Sequence, residues 1–479
     1  MGSINHQPIR IAIIGGGIAG LALAASLTKQ AQQHQLDVHV YESVAAHADV
    51  GAGLALHKNA IAAMGLLGPD VRQAYFDAAL PIGASSEDEE VATEVLLAQG
   101  PHAGELVATL GRAKGRKSVS RADLLAGLLA LVPAERVHFG KRLFRIWEVE
   151  EDIGPDLQDG SSSNNKKKVV HIQFRDCTTV KADVLLGADG IHSQVRRHLL
   201  GDDHPATLPQ NHDRWQVYRT LVTARQAVEG YGVDPKWTQT VPIMLGPAGH
   251  VNCIPLNKGT MLSAGVAVRG AAAPTSSSSS SSSSTKGPSG SGNRKGERTP
   301  LNPDLYADYT PAARAIVALV AADPSASWDL GDHDDAPTYA RGSVAMLGDA
   351  AHASLPFAGN GAAQALEDAA VLACLFLRIA EEQGGQEEDG GRRDDKIPLA
   401  LAAYDAVRRP RSQAVVELAR KFGRVYAYAE DGMHEDPERL KKFFAESARF
   451  TNEFDVAGQN RAALERFEEL VSSSLSGGS

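Results

Sequence analysis

The feature that most constrains this chain is a glycine-rich turn between an apolar strand and an alanine-rich helix, close to the first residue. Residues 9–14 form the apolar run, and the sequence GGGIAG follows at residues 15–20. In such a turn Gly15 permits the tight bend, Gly17 lets the backbone approach a pyrophosphate, and Gly20 lets helix and strand pack closely. The helix N-terminus adds unpaired N–H groups and partial positive charge. The pattern therefore predicts a parallel α/β sheet that holds a dinucleotide.

A carboxylate follows the second predicted strand. The apolar run at residues 38–41 ends in Glu42. At that place a carboxylate can accept hydrogen bonds from a ribose 2′-OH, and it would repel a 2′-phosphate. The tightly held ligand is therefore predicted to be FAD or NAD and not NADP. For this motif taken alone, a glycine-rich turn without a ligand is the alternative.

Two more strand-and-turn signatures follow further along the chain. Residues 182–186 lead into the sequence GADG, where Asp189 is either a cofactor contact or part of an ordinary helix cap. Residues 343–347 lead into a Gly-Asp pair, and the Asp349 carboxylate suits the hydroxyl groups of a polyol. Because open α/β sheets bind ligands at the carboxyl ends of their strands, the three turns predict one shared cradle.

A stretch of small residues then leads into a long helix. Residues 356–363 precede a helix predicted over residues 364–379. Small residues before that helix, among them Gly361 and Ala362, leave N–H groups available to the electron-rich pyrimidine edge of a flavin. Together with the three turns, this stretch predicts that the dinucleotide is FAD.

On these motifs the chain resembles the single-component FAD-dependent aromatic monooxygenases, the group of p-hydroxybenzoate hydroxylase, and most closely its salicylate-hydroxylase-like branch with many fungal members. The resemblance spans most of the sequence, and it includes residues 50–54, 120–124, 218–219, His250 with Pro255, and Tyr404 with residues 408–411. It implies that Glu42 binds the adenosine ribose and that Gly53 and Arg121 contact FAD. It also implies that Asp349 holds the ribitol and that Ala362 lies beside the isoalloxazine.

The resemblance also implies the chemistry and its co-substrates. NADPH or NADH binds in passing and reduces FAD, O2 adds to the reduced ring as a C4a-hydroperoxide, and the distal oxygen is transferred to an aromatic carbon. Arg219 matches a substrate-facing arginine of dearomatising relatives, so it is the candidate catalytic residue that holds a phenolate or carboxylate. A surface ion pair is the alternative for Arg219. Structural or packing roles are predicted for Tyr218, for His250 in a turn, for Cys253 and for His352.

The predicted substrate is a small phenolic or salicylate-like aromatic, in secondary metabolism or aromatic catabolism. Dearomatising relatives often carry a tyrosine before the proline that matches Pro255, and here the residue is Ile254. Simple ring hydroxylation is therefore favoured over dearomatisation of a polyketide phenol. Epoxidation or hydroxylation of a non-aromatic substrate stays open, as does a flavin-fold binding protein without redox activity.

Composition agrees with a large enzyme that acts on small molecules. The 479 residues are 43% hydrophobic and 22% charged, which is enough to bury a sizeable core. A net charge of −10 argues against a nucleic-acid partner, and no stretch approaches the roughly 18 apolar residues of a membrane span. The three cysteines are too far apart for a metal knuckle or a redox pair. A cytoplasmic protein without a metal, monomeric or homodimeric, is expected.

The fold class predicted from these patterns is α/β. A Rossmann-like FAD-binding domain is interleaved with a mixed-sheet substrate domain, and C-terminal helices follow. The predicted ranges are 1–75, 105–195 and 335–380 for the first domain, 76–104 and 196–334 for the second, and 381–479 for a loop and the helices. A serine-rich insert at residues 271–299 has few apolar residues to bury and is predicted to be disordered.

Overall fold

The structure, a computed structural model, describes residues 7–46, 53–78, 80–81, 90–114, 117–152, 166–256, 259–270, 300–323, 327–381 and 393–476. The predicted serine-rich insert at 271–299 lies outside the described residues. The α-helices are α1 (Ile18–His34), α2 (Lys58–Leu67), α3 (Pro69–Ala78), α4 (Arg121–Leu129), α5 (Gln194–Leu200), α6 (Pro311–Ala321), α7 (Asp349–His352), α8 (Gly361–Glu381), α9 (Arg393–Tyr426), α10 (Pro437–Asn452) and α11 (Val456–Ser476).

Nineteen strands accompany these helices in the described ranges. They are β1 (Ile9–Ile14), β2 (Leu36–Tyr41), β3 (Gly53–Ala55), β4 (Leu80–Pro81), β5 (Glu90–Leu97), β6 (Leu106–Lys114), β7 (Lys117–Ser120), β8 (Val137–His138), β9 (Leu143–Asp152), β10 (Lys166–Phe174), β11 (Thr179–Ala182), β12 (Val184–Gly187), β13 (Gln216–Thr223), β14 (Val241–Gly246), β15 (Gly249–Leu256), β16 (Met261–Val268), β17 (Ser327–Asp329), β18 (Ala340–Arg341) and β19 (Val344–Met346).

The first sheet contains the strands that carry all three predicted turns. Its order is β18-β19-β12-β1-β2-β8. β1 pairs in parallel with β2 and with β12, and β12 pairs in parallel with β19. The carboxyl ends of these four strands therefore lie at one edge of the sheet, and α1 and α8 pack together beside it. The predicted α/β fold with a Rossmann-like domain is confirmed.

The second large sheet has seven strands in the order β17-β13-β16-β15-β14-β5-β6. The sheet is mixed, because β14 pairs in parallel with β5 while all other neighbouring strands of the sheet pair antiparallel. One face packs against α6 and buries Tyr218, Cys253 and Ile316 in a single apolar core. The predicted packing roles of Tyr218 and Cys253 are thereby confirmed. The opposite face packs in part against α9 and α10 and also carries residues of the site described below.

Two strands lie on the other side of the predicted domain boundary. β6 falls within residues 105–195, the range predicted for the FAD-binding domain, yet it pairs with β5 at the edge of the seven-stranded sheet. β4 falls within residues 76–104, predicted for the substrate domain, yet it pairs with β7 in a small sheet that also contains β3. β6 pairs with the strand that directly precedes it, whereas β4 pairs with a strand that follows β5 and β6.

The C-terminal helices complete both cores. α9 begins at Arg393, within the range 381–479 predicted for a loop and the helices. Its first half contributes Leu401 and Tyr404 to the core around the first sheet, and its second half contributes Ala419 and Phe422 to the core beside the second sheet. Among the described helices, none combines the length and apolar composition needed to cross a bilayer.

Candidate active site

The three predicted turns touch one another. Gly15 has a φ of +112°, and a Cβ at Gly15 would overlap the carbonyl oxygen of Ala188 in the second turn. The Ala188 N–H in return donates to the carbonyl of Ile14 at 2.7 Å. In the third turn Gly348 has a φ of +60°, and a Cβ there would lie 3.1 Å from the Cβ of Ala19 at the beginning of α1. Motifs separated by more than 150 residues therefore form one continuous edge.

The surroundings of Gly17 and Gly20 match the roles predicted for these two residues. A Cβ at Gly20 would overlap the carbonyl oxygen of Gly15, so the helix can approach the strand this closely because that residue is glycine. A Cβ at Gly17 would meet no heavy atom of the described chain within 4 Å. This open space lies at the N-terminus of α1, where the backbone can accept a pyrophosphate. The turn therefore fits a dinucleotide such as FAD.

The Glu42 carboxylate is fixed at the end of β2 by hydrogen bonds from the chain itself. The N–H of Gly16 donates to its Oε2 at 2.7 Å, and the N–H of Val44 donates to its Oε1 at 2.9 Å. The Ser43 hydroxyl lies 3.0 Å from the same Oε1. These contacts hold the carboxylate beside the glycine turn, so its role as the ribose contact stays a prediction with suitable geometry.

Asp189 caps the beginning of α5. Its Oδ2 accepts from the N–H groups of Gln194 at 2.7 Å and Val195 at 3.2 Å, and its Oδ1 accepts from the Ser193 hydroxyl at 2.5 Å. Burial raises the pKa of Asp189, and these hydrogen bonds oppose that rise. The carboxylate therefore performs the capping role considered as its alternative. A direct contact with the cofactor stays a prediction.

The other predicted cofactor contacts lie at the beginnings of helices or beside them. Asp349 is exposed as the first residue of α7, and Gly361 and Ala362 are half-buried as the first residues of α8. Gly53 and Arg121 are brought together, because Gly53 in β3 pairs opposite Ser120, the residue before Arg121. The structure thus presents these five residues at chain positions that could bind a ligand, and their contacts with FAD stay predictions.

A buried ionic cluster behind the third turn was missed in the sequence. Asp368 in α8 accepts a hydrogen bond from the Gly348 N–H at 2.8 Å, and its Oδ2 lies 2.6 Å from Nε2 of His352. Arg408 in α9 donates to Asp368 at 2.7 Å and to Glu367 at 2.7 Å. Burial would raise the pKa of Asp368, but the charges of His352 and Arg408 hold it below its usual value. Acidic residues in an otherwise apolar helix were the available signal.

The cluster connects the predicted flavin edge to the C-terminal helices. Asn59 of α2 donates to Glu367 at 2.9 Å, and Gln364 donates to Asn360 at 3.0 Å, immediately before Gly361. His352, for which packing was predicted, is therefore buried and also hydrogen-bonded. Because the backbone N–H of Gly348 is one of its partners, the cluster positions the turn that presents Asp349.

The face of the seven-stranded sheet opposite α6, which α9 and α10 cover in part, carries Arg219. Arg219 in β13 lies opposite Gly265 in β16, which in turn lies opposite Asn252 in β15. His250 lies two residues before Asn252 and therefore on the same face. Its ring centroid is 5.1 Å from that of Phe357, close to the beginning of α8. The turn suggested by Pro247 and Gly249 lies at residues 247–248, directly before His250, which is the second residue of β15.

Two polar atoms on this face are buried without a partner. Nε of Arg219 and Nδ1 of His250 accept or donate no hydrogen bond among the described residues. Burial lowers the pKa of Arg219, and burial together with the Arg219 charge lowers the pKa of His250 to about 3. His250 is thus a neutral imidazole near pH 7, while the Arg219 guanidinium keeps its charge. The described structure shows no ion pair at Arg219, so the alternative of a surface ion pair is not observed.

Comparison with known proteins agrees with this arrangement. The family described as FAD binding domain matches residues 157–419, and the family described as FAD-NAD(P)-binding matches residues 12–64. The 6-methylsalicylate 1-monooxygenase of Aspergillus terreus is 33% identical over 468 residues, which cover 97% of this chain and 93% of that protein. A salicylate hydroxylase of Pseudomonas putida is 31% identical over 425 residues, covering 88% and 87% of the two chains. A solved salicylate hydroxylase substrate complex, 28% identical, superimposes with a TM-score of 0.71 over 95% of this chain and 98% of that one.

Proposed function

Because this chain belongs to the FAD-dependent aromatic monooxygenases, in their salicylate-hydroxylase-like branch, we propose that it hydroxylates a phenolic, salicylate-like aromatic. NADPH or NADH and O2 are the proposed co-substrates. The observation that carries the proposal is Arg219, whose Nε is buried without a hydrogen-bond partner among the described residues, on the same sheet face as His250. A charged group without a protein partner in such a place is suited to bind an anionic ligand.

The residues of the cradle fit FAD. The open space at Gly17 would accept the pyrophosphate, Glu42 would accept hydrogen bonds from the ribose, and Asp349 would bind the ribitol. The N–H groups at Gly361 and Ala362 would face the pyrimidine edge of the ring. When bound, FAD supplies the activation of O2 and the oxygen transfer, while the protein orients the substrate and excludes water.

Arg219 would stabilise the anionic form of the substrate. A phenol with a pKa near 10 is only about 0.1% ionised at pH 7, so holding it as phenolate requires roughly 4 kcal/mol of preferential stabilisation. A carboxylate is already ionised and would bind the same guanidinium in bidentate geometry. His250 is a neutral imidazole near pH 7, so it can hydrogen-bond a substrate hydroxyl, but it is not the imidazolium that would serve as a general acid.

Ring hydroxylation is favoured over dearomatisation at this site. A Cβ at Gly53 would come within 2.9 Å of the Ile254 Cγ2, which places Ile254 against the small sheet that carries Gly53. An aliphatic side chain at that place offers no hydroxyl to orient or deprotonate the substrate. The proposal therefore retains simple oxygen insertion into the ring.

The test is the oxidation of NADH and of NADPH by the purified, FAD-loaded protein with a panel of aromatic compounds. The panel contains salicylate, 6-methylsalicylate, neutral phenols and benzoate, and mass spectrometry follows the products. We expect hydroxy acids to accelerate flavin reduction and to gain one oxygen atom. If no phenolic compound accelerates flavin reduction, the proposal is wrong.

A further inference from the structure

We propose that the side-chain amide of Asn252 is a specificity group, which accepts a hydrogen bond from a free hydroxyl on the substrate whose anionic group Arg219 holds. This inference rests on the proposed function and deepens it, because it names the substituent pattern that the site would select: an aromatic acid that carries a free hydroxyl.

The position of Asn252 on its strand is the first observation. His250, two residues earlier on the same face, stacks edge-to-face with Phe357 near the beginning of α8. Ile254, two residues later, lies against Gly53 in β3. Asn252 therefore lies between two residues that contact segments predicted to bind the flavin. His250 contacts the glycine-rich stretch before Gly361, and Ile254 lies against Gly53. A side chain between them faces the same space.

Gly265 makes room for the amide. A Cβ at Gly265 would lie 2.5 Å from Oδ1 of Asn252 and 3.6 Å from Cγ of Arg219. The amide oxygen thus occupies the volume that a side chain at residue 265 would fill, between the strands that carry Asn252 and Arg219. Ala267, which is also small, follows on the same face of β16. The space over Gly265 therefore lies between Arg219 on one neighbouring strand and Asn252 on the other.

The hydrogen-bonding capacity of the two side chains is complementary. Arg219 has donors alone, whereas an amide oxygen is an acceptor. In the described part of the chain the structure gives neither side chain a hydrogen-bond partner. A ligand that satisfies both must present an acceptor to Arg219 and a donor to Asn252. An aromatic acid with a free hydroxyl has both, and its O-methyl ether lacks the donor.

The experiment measures dissociation constants of salicylate, benzoate and 2-methoxybenzoate from the FAD-loaded protein by the change in flavin absorbance. In the unaltered protein we expect salicylate to bind most tightly. For Asn252→Leu we expect salicylate to bind about tenfold more weakly, which is the loss of one hydrogen bond, while benzoate changes by less than about threefold. The matched control is Cys253→Ala, on the opposite face of the same strand, which should leave the preference for salicylate unchanged.

Asn252→Asp provides a second variant of nearly the same shape. Its carboxylate would pair with Arg219, so we expect both salicylate and benzoate to bind more weakly, and this result does not depend on how Asn252→Leu folds. Flavin content and melting temperature are measured for every variant. Unchanged binding of both acids in Asn252→Asp would contradict the proposed proximity.

A double-mutant cycle tests whether Gly265 acts through the amide. Gly265→Ala should displace Asn252 and weaken salicylate binding, and it should have little further effect in the Asn252→Leu background. Additive losses in the cycle, or an unchanged ratio of salicylate to benzoate affinity in Asn252→Leu, would overturn the inference. If the unaltered protein binds and turns over no hydroxy acid, the proposed function itself is wrong. If the unaltered protein turns over hydroxy acids but Asn252→Leu keeps the same ratio of salicylate to benzoate affinity, only the role proposed for Asn252 is wrong.

Discussion

Replacing Arg219 by methionine should change stability and ligand binding in opposite directions. Nε of Arg219 is buried and has no partner among the described residues, so the ligand-free fold carries part of the cost of desolvating the guanidinium. Methionine has a similar length and no charge. We expect Arg219→Met to stabilise the FAD-loaded, substrate-free protein by about 1–3 kcal/mol, a rise in melting temperature of about 1–3 °C for a chain of this length.

The same substitution should nearly abolish recognition of an anionic substrate. Removing one partner of a desolvated charge pair costs about 2–5 kcal/mol, which corresponds to a dissociation constant at least about 30 times larger. Thermal unfolding with and without salicylate, followed by flavin fluorescence, measures both effects. The expected result is a higher melting temperature without ligand and a smaller increase when ligand is added.

Arg420 provides the matched control because it is an arginine with partners. It donates to Asp332 at 2.6 Å and to Asp334 at 2.8 Å. Arg420→Met would remove this charged partner from the buried Asp332, while Asp334 would keep its contact with His212, so we expect the substitution to lower the melting temperature. If Arg219→Met also lowers the melting temperature, or if it leaves the affinity for salicylate unchanged, Arg219 is a structural residue and the reasoning is refuted.

Further outcomes follow from other parts of the site. Gly17→Ala should keep the melting temperature of the apoprotein within about 1 °C while weakening FAD binding at least tenfold in a flavin titration, whereas Gly20→Ala should destabilise the fold itself because its Cβ would meet backbone. His250 has a pKa of about 3 in the fold against 6.5 when unfolded, so the unfolded chain alone takes up this proton as the pH falls below 6.5. The free energy of unfolding should therefore drop by about 2 kcal/mol between pH 7 and pH 5 through this residue, and chemical denaturation of His250→Phe should show a correspondingly smaller drop. Asp368→Asn should lower the free energy of unfolding by about 3 kcal/mol or more, because the buried Arg408 loses one of its charged partners. Added FAD should raise the melting temperature of this variant less than that of the unaltered protein. Normal FAD affinity in Gly17→Ala, a pH dependence that His250→Phe leaves unchanged, or normal stability of Asp368→Asn would each contradict the corresponding argument.

The cradle could be predicted because its signals are local. Gly15 and Gly348 adopt a positive φ. Such a position can be recognised in the sequence from the glycine itself and from the apolar strand before it. Parallel pairing then brings the ends of those strands to one edge without any further information. The carboxylates of Glu42 and Asp349 could be placed for the same reason, since each directly follows or ends such a strand-and-turn unit.

The rest depends on register and on distant partners. The space over Gly265 exists because β15 and β16 align Asn252 with it, and nothing at either residue alone indicates that alignment. Asp368 and Arg408 lie on different helices, 40 residues apart, so their pairing requires the tertiary arrangement. The turn before His250 could be predicted from Pro247 and Gly249, whereas the place of His250 in β15 depends on pairing with β16. In the structure Gly249 is required inside the strand, since a Cβ there would overlap the Ala267 carbonyl.

One long helix joins the two halves of the molecule. α9 has 34 residues and therefore extends about 50 Å, and it enters one apolar core before Pro410 and the other after it. A rod anchored at both ends resists hinge opening, because separating the sheets would extract aromatic side chains such as Phe422 from their packing. We therefore expect a substrate to reach this site through movements smaller than a hinge opening of the two sheets.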